Sequence, residues 1–162
     1  MIVVLIGFGF IALCFGGVLI FGAPYLPTLS PQVAAALELV DLRSGQTLVE
    51  LGSGDGKVLI AAAEQGVRVI GYELNPILVI ISWVRTRRYR KLVSIKWRNF
   101  WNVSLPESEA VFVFLLDRFM EKLDAKLIAS EHKPLKLVSF AFKVPGKPIT
   151  QEKHGVYLYL YE

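Results

Sequence analysis

One stretch constrains the fold of this chain more than any other: Leu48-Val49-Glu50-Leu51-Gly52-Ser53-Gly54-Asp55-Gly56-Lys57. An apolar, strand-like run carrying one acidic residue leads into three glycines at alternate positions. A second strand-like run follows and ends in Gly71-Tyr72-Glu73-Leu74-Asn75-Pro76, which sets Glu73 21 positions beyond Gly52. Glycine at every second position lets a strand-to-helix turn adopt backbone angles closed to other residues, and lets a ligand approach the main chain without a Cβ in the way. Glu73 then stands where a ribose would present its two hydroxyls. The pair of signals reads as a nucleoside-cofactor site in a βαβ unit. A glycine-rich turn with a purely structural role is the alternative, and the placing of Glu73 weighs against it.

The spacing narrows the kind of cofactor. The dinucleotide fingerprint G-x-G-x-x-G puts its pyrophosphate on the N-terminus of the following helix. Read from Gly52, its third glycine falls on Lys57; read from Gly54, it falls on Leu59. Neither register fits. The pattern Glu50 to Gly56 is E-x-G-x-G-x-G, which resembles motif I of the class I S-adenosylmethionine-dependent methyltransferases. Glu50 and Asp55 suit a cationic sulfonium and ammonium better than a pyrophosphate.

Of the 162 residues, 54% are hydrophobic, and the excess is concentrated at the start. The first charged residue is Glu38, and Ile2 to Ala23 is an unbroken apolar run of 22 residues. A hydrocarbon core about 30 Å thick takes roughly 20 helical residues to cross, so residues 1–23 are expected to form a transmembrane helix. A cleaved signal peptide would carry a basic flank and a shorter apolar core. A buried core helix would need more protein around it than the rest of the chain supplies. All 18 Lys and Arg follow the segment, which predicts a catalytic domain on the cytoplasmic side. No basic presequence precedes the run, so a prokaryotic cell membrane is the simpler expectation.

The net charge is only +4, but Arg85, Arg87, Arg88, Arg90 and Lys91 are clustered directly after the apolar stretch Ile77 to Val84. They complement the negative end of a helix dipole, contact anionic head groups, or both. No aromatic module accompanies them, so a nucleic-acid partner is not expected. The single cysteine, Cys14, lies in the apolar run and forms no disulfide or thiolate metal site within the chain. His132 and His154 read as surface loop residues without partners at metal-ligand spacing, so no metal is expected. Asn102-Val103-Ser104 matches a glycosylation sequon, which a cytoplasmic domain would not present.

Residues 24–46 read as a linker, Pro24-Tyr25-Leu26-Pro27-Thr28, and a helix from Ser30 as cap with Pro31 at its first position to Val40. Residues 47–162 alternate strands and helices. Strands are expected at Thr47 to Leu51, Arg68 to Glu73, Val93 to Arg98, Ala110 to Leu116, Leu135 to Val144 and Val156 to Tyr161. Helices are expected at Lys57 to Gln65, from Asn75 as cap to about Arg90, and Asp117 to about Ser130, with Phe119, Leu123 and Leu127 on one face. The pattern predicts an α/β, mostly parallel doubly wound sheet with a reduced C-terminal end: six strands, and no helix between the fifth and the last. The alternating tyrosines of Val156 to Tyr161 read as a half-exposed strand face rather than an aromatic binding box.

From Pro24 onward the chain resembles the small membrane-anchored protein-lysine methyltransferases of the adenine nucleotide translocase and ATP synthase c-subunit, with their prokaryotic relatives. Leu-Gly-Ser-Gly-Asp-Gly at Leu51 to Gly56 and Gly-Tyr-Glu-Leu-Asn-Pro at Gly71 to Pro76 carry the resemblance, with the hydrophobic N-terminal segment and the Pro-Tyr-x-Pro-Thr stretch. The resemblance implies a Rossmann-like methyltransferase fold, although the family fold has seven strands and a helix after strand five. It places Glu50, Gly52, Ser53, Gly54, Asp55, Gly56, Glu73 and Leu74 around S-adenosyl-L-methionine, with Glu73 on the ribose. Asn99 and Phe100 fall at the adenine; an acidic residue is common near there, so Asn99 departs from the pattern. Thr28 closes over the cofactor or serves as a helix-entry cap.

No general base stands out, and methyl transfer from a sulfonium needs mainly alignment of a neutral amine and exclusion of water. Asp117 is an amine-orienting residue or, preferably, the N-cap of its helix. Leu115-Leu116-Asp117-Arg118 stands where base-methylating enzymes carry Asn-Pro-Pro-Tyr, which argues against a nucleic-acid substrate. The expected function is a membrane-anchored methyltransferase acting on a lysine of a membrane protein. The alternatives are methylation of a lipid amine or small lipophilic molecule, and a catalytically silent cofactor-binding scaffold.

Overall fold

The computed structural model describes residues 26–133 and 135–162. The expected span over residues 1–23, Cys14 within it and Pro24-Tyr25 lie outside the described residues. Among those described, no helix is long and apolar enough to cross a membrane.

Seven strands form one sheet in the order β3-β2-β1-β4-β5-β7-β6. β1 (Thr47–Leu51), β2 (Arg68–Glu73), β3 (Val93–Trp97), β4 (Ala110–Val113) and β5 (Leu135–Phe140) are mutually parallel, while β7 (Val156–Tyr161) runs antiparallel to β5 and β6 (Gln151–Lys153) antiparallel to β7. β1 is the middle of the five parallel strands, with Leu48 opposite Val69 on one side and Ala110 on the other. Four of its five residues are buried, as a strand covered on both faces requires.

Helices α1 (Ser30–Val40) and α2 (Lys57–Glu64) cover one face, where Val33, Leu37, Leu59, Ala62 and Val69 pack with Phe112, Val138 and Leu158. On the other face α4 (Met120–Ile128) buries Met120, Leu123 and Leu127 against Val111, Leu137 and Tyr159. α3 (Pro76–Thr86) packs beside α2 along β2 and β3 and is followed by a 3-10 turn, Arg87–Tyr89.

The structure corrects the strand count. The expected six strands are seven, because Gln151–Lys153 pairs with the first three residues of β7, Gln151 opposite Leu158 and Lys153 opposite Val156. The two-residue hairpin turn between them is His154 and Gly155, with φ of 51° and 73°. Positive φ at both turn positions matches the right-handed twist of the strands, and His is among the side chains that tolerate that region. No helix separates β5 from β6, so the C-terminal end is short although its strand pair is complete.

Several boundaries also move. β4 stops at Val113 rather than Leu116, and β5 stops at Phe140 rather than Val144. Ala141 adopts a left-handed φ of 69° and turns the chain out of the sheet. The first helix is capped by Leu29, not Ser30, with no side-chain cap bond. Asp117 opens a 3-10 turn ahead of α4, is exposed, and makes no cap bond, so the preferred cap role is not met. The tyrosine face is half-exposed only at Tyr157. Tyr159 and Tyr161 are buried; Tyr159 Oη accepts the Val144 N–H at 3.1 Å and Tyr161 Oη donates to Asp124 Oδ1 at 2.6 Å. Each phenol finds the polar partner a buried tyrosine needs.

Candidate functional site

The carboxyl ends of β1, β2, β4 and β5 open on one cleft of about 280 Å³. It lies where β1 has neighbours reached by chains running in opposite directions, the usual ligand position in an open α/β sheet. Its floor is the turn between β1 and α2. Gly52, Gly54 and Gly56 have φ of 89°, 53° and 81°, so the turn needs three residues in the left-handed region within five positions. Gly52 and Ser53 donate their N–H groups to the Tyr72 carbonyl at 2.9 Å, which fastens the turn to the end of β2. Two glycines are also needed for space. A Cβ on Gly56 would stand 2.5 Å from Ser82 Oγ of α3, and one on Gly71 would meet the Ser53 side chain at 2.8 Å.

Two of the three carboxylates that line the cleft, Glu73 and Glu50, have opposite degrees of satisfaction. Glu73 Oε2 accepts the Gly54 N–H at 2.8 Å, and Oε1 accepts those of Leu74 and Asn75 at 2.7 Å each. Main chain alone therefore holds the carboxylate in place. Glu50 is buried, and its Oε2 has no hydrogen-bond partner. Burial, and secondarily the charge of Glu73, pushes Glu50 well above the usual carboxylate range. An orphaned acidic oxygen beside a glycine-rich turn fits a cationic ligand, and a fixed carboxylate one strand away fits a diol. These residues therefore fit S-adenosyl-L-methionine.

The remaining expected residues assemble around the same cleft. Thr28 lines it and is buried; it is not the cap of α1, which is Leu29. Its carbonyl accepts from Lys57 Nζ at 2.9 Å, so the first turn of α2 ties down the strap, Leu26 to Thr28, that lines the cleft. Asp55 lines the floor, receives the Lys57 N–H at 3.3 Å and pairs with Arg85 of α3. Asn99 and Phe100 follow β3 and line the wall, with Asn99 Oδ1 accepting the Trp101 N–H at 3.0 Å. Asn75 caps α3 through Oδ1, which accepts from Ile77.

The rest of the wall was not foreseen. Phe112, Phe114, Leu115 and Leu116 from β4 and beyond it, with Ala141 and Phe142 after β5, add an apolar lining, in which Phe112 is the register neighbour of Glu50. In the sequence these residues extend the apolar runs of two strands. Their role shows only because both strands leave the sheet early. The one local signal was the length of those runs, seven and ten residues where neighbouring strands have five or six.

Residues 50–151 match the family of the ANTKMT methyltransferase domain. The chain belongs to this family. Among its relatives, the ATP synthase c-subunit lysine N-methyltransferase of Xenopus laevis is 35% identical over 76% of this chain and 55% of its own length. The protein-lysine N-methyltransferase of Saccharolobus islandicus is 31% identical over 85% of this chain and 92% of its own length. An RNA methyltransferase from Salinibacter ruber, solved with S-adenosyl-L-homocysteine, superposes with a TM-score of 0.76 at 28% identity, covering 84% of this chain and 92% of that one. The chain spans about half the length of the vertebrate relatives it matches.

Proposed function

We propose that the chain is a membrane-anchored, S-adenosyl-L-methionine-dependent methyltransferase that modifies a lysine side chain of a membrane protein. One observation carries the reading: a single cleft is lined both by the acidic and glycine residues Glu50, Gly52, Gly54 and Glu73 and by the apolar residues Phe114, Leu115, Leu116, Ala141 and Phe142. When bound, S-adenosyl-L-methionine supplies a methyl group already activated by its sulfonium. Glu50 offsets the ligand's positive charge, and Glu73 takes the ribose hydroxyls. The Gly52 to Gly56 backbone bed and the Thr28 strap hold the ligand against the floor. The apolar lining strips water from an entering amine, which lowers the pKa of an ammonium and delivers it neutral. Phe114, Leu115, Leu116, Ala141 and Phe142 carry no titratable group, so on this reading alignment and dehydration carry the reaction rather than a base.

The lysine reading is supported by the relatives' names, both lysine N-methyltransferases. The membrane reading rests on residues 2–23. Leu26, at the rim of the cleft, follows Ala23 by three residues, a reach of at most about 11 Å. A span ending at Ala23 would hold the cleft at the membrane surface, on the cytoplasmic side by the charge bias and in a prokaryotic cell membrane by preference. Confinement with a membrane substrate raises effective concentration.

The test is incubation of the full chain with radiolabelled S-adenosyl-L-methionine and washed membranes. Label in protein, released on hydrolysis as methylated lysine, is the expected result. Label following lipid points to an amine headgroup, label in co-purified RNA to the activity named for the Salinibacter relative, and cofactor binding without label to a scaffold.

A further inference from the structure

Helix α3 wears its polarity inside out. Its inward positions, four residues apart, are Leu78, Ser82 and Thr86. Ser82 and Thr86 are 0% and 3% exposed because the glycine turn at Gly56 lies directly against them and leaves room only for small side chains. Its outward positions carry Ile80, Trp83 and Val84, exposed by 63%, 71% and 46% and sharing one face at spacings of three and four. Trp97, also exposed, extends this surface at the start of the helix, where its Nε1 donates to the Leu74 carbonyl at 3.0 Å. At the other end Arg87, Arg88, Arg90 and Lys91 follow, exposed and unpaired with any carboxylate among the described residues.

We propose that this face of α3 docks on an anionic lipid bilayer, with Ile80, Trp83 and Val84 entering the interfacial region and the basic cluster meeting the phosphates. Charge complementarity selects this occupant. Residues 1–25 contain no charged residue and would leave four cations uncompensated. A two-fold copy centred on the apolar face would set each cluster toward the Trp97 end of the other copy, where Trp97 offers it no charge. An anionic surface takes both halves of the patch: tryptophan and aliphatic side chains favour the headgroup level, and basic residues beside them add affinity that multiplies with each charge. The inference goes beyond the anchor proposed for residues 2–23, since it assigns a second contact and a fixed orientation to the domain. It also stands without methyl transfer.

The experiment uses the full chain in nanodiscs of phosphatidylcholine alone or of equal parts phosphatidylcholine and phosphatidylglycerol. Tail-brominated lipid quenches tryptophan emission, and the share due to Trp83 is the difference between the chain and its Trp83→Phe variant. The expected result is Trp83 quenching in mixed discs roughly threefold or more above that in neutral discs. The triple variant Arg87→Glu, Arg88→Glu, Arg90→Glu should return it to the neutral level, with circular dichroism and calorimetric binding of S-adenosyl-L-methionine unchanged. Ile80→Ser should weaken quenching without touching any charge. Equal quenching in both lipids, or an unaffected triple variant, overturns the proposal. So does protection of Trp83 from acrylamide already in neutral discs, which assigns the face to residues 1–25 or, if sedimentation shows a doubled mass, to a second copy. Loss of cofactor binding in the unaltered chain would instead sink the methyltransferase reading and leave this one standing.

Discussion

Glu73 Oε2 accepts the backbone N–H of Gly54 at 2.8 Å, so the end of β2 and the middle of the β1–α2 turn are joined by the carboxylate proposed to hold the ribose. With two further N–H groups on Oε1, the side chain is in place before any ligand arrives. That preorganisation spares the ligand the entropy of ordering it.

Glu73→Gln keeps the size of the side chain but turns one acceptor into a donor facing main-chain N–H groups. A charge-assisted hydrogen bond is worth about 1.5–3 kcal/mol, and two ribose contacts are involved. Calorimetric affinity for S-adenosyl-L-methionine should fall on the order of a hundredfold or more. An unchanged affinity would remove Glu73 from the ribose site.

Glu50→Gln should act in opposite directions on stability and binding. The folded chain holds a proton on Glu50 at pH values where the unfolded chain has lost it. Fold stability therefore declines as pH rises from the unfolded carboxylate pKa toward the raised folded one, by about 1.4 kcal/mol for each pH step of one across that window. The Gln variant lacks that decline, so thermal melts from pH 5 to 8 should run flatter and end higher than those of the unaltered chain. Affinity for the cationic cofactor should drop, and the proton release that accompanies binding, read by calorimetry in buffers of different ionisation enthalpy, should shrink.

Gly56→Ala should cost roughly 2–3 kcal/mol, combining a left-handed φ of 81° with a Cβ placed 2.5 Å from Ser82 Oγ. Adding Ser82→Ala removes the contacting hydroxyl and should recover the steric part alone. Denaturant melts of the two single variants and the double variant give the coupling. Strict additivity would mean that the close approach of turn and α3 is not what constrains this glycine.

Phe142→Ala should separate the two linings of the cleft. Phe142 belongs to the apolar one, whereas Glu73 is held by the main-chain N–H groups of Gly54, Leu74 and Asn75. Cofactor affinity should change by less than about threefold while methyl transfer to a membrane substrate falls by tenfold or more, since a wetter cleft leaves the amine protonated. A parallel loss of affinity would place the cofactor across the apolar lining as well.

Much of this molecule was legible from local pattern. The limits of β1, β2 and β7 come out residue for residue, because apolar runs bounded by Gly, Pro or a charged turn carry their own ends. Asn75-Pro76 announces its helix start with a cap and a first-turn proline, and the cap bond is there. Three left-handed glycines and a carboxylate at a fixed remove announce the floor of the cleft, since three positive φ angles within five positions strongly favour glycine.

The long-range part was decided elsewhere. Phe114, Leu116 and Phe142 read as continued strand, and only the neighbouring strands' lengths determine where pairing stops and a cleft wall begins. Gln151–Lys153 is too short and too polar to declare itself, and becomes a strand because the His154-Gly155 turn folds it back on β7. Glu50 is one acidic letter in a motif, yet its orphaned oxygen and raised pKa arise from what β2 and β4 pack around it. In the sequence α3 is only an apolar stretch, Ile77 to Val84; in the fold Gly56 allows only small residues beneath it, and Ile80, Trp83 and Val84 face outward. Sequence by itself determined the backbone-limited features, where a residue type permits or forbids a conformation. Tertiary structure decided burial, pairing and charge state, because those depend on neighbours that the chain meets only after it has folded.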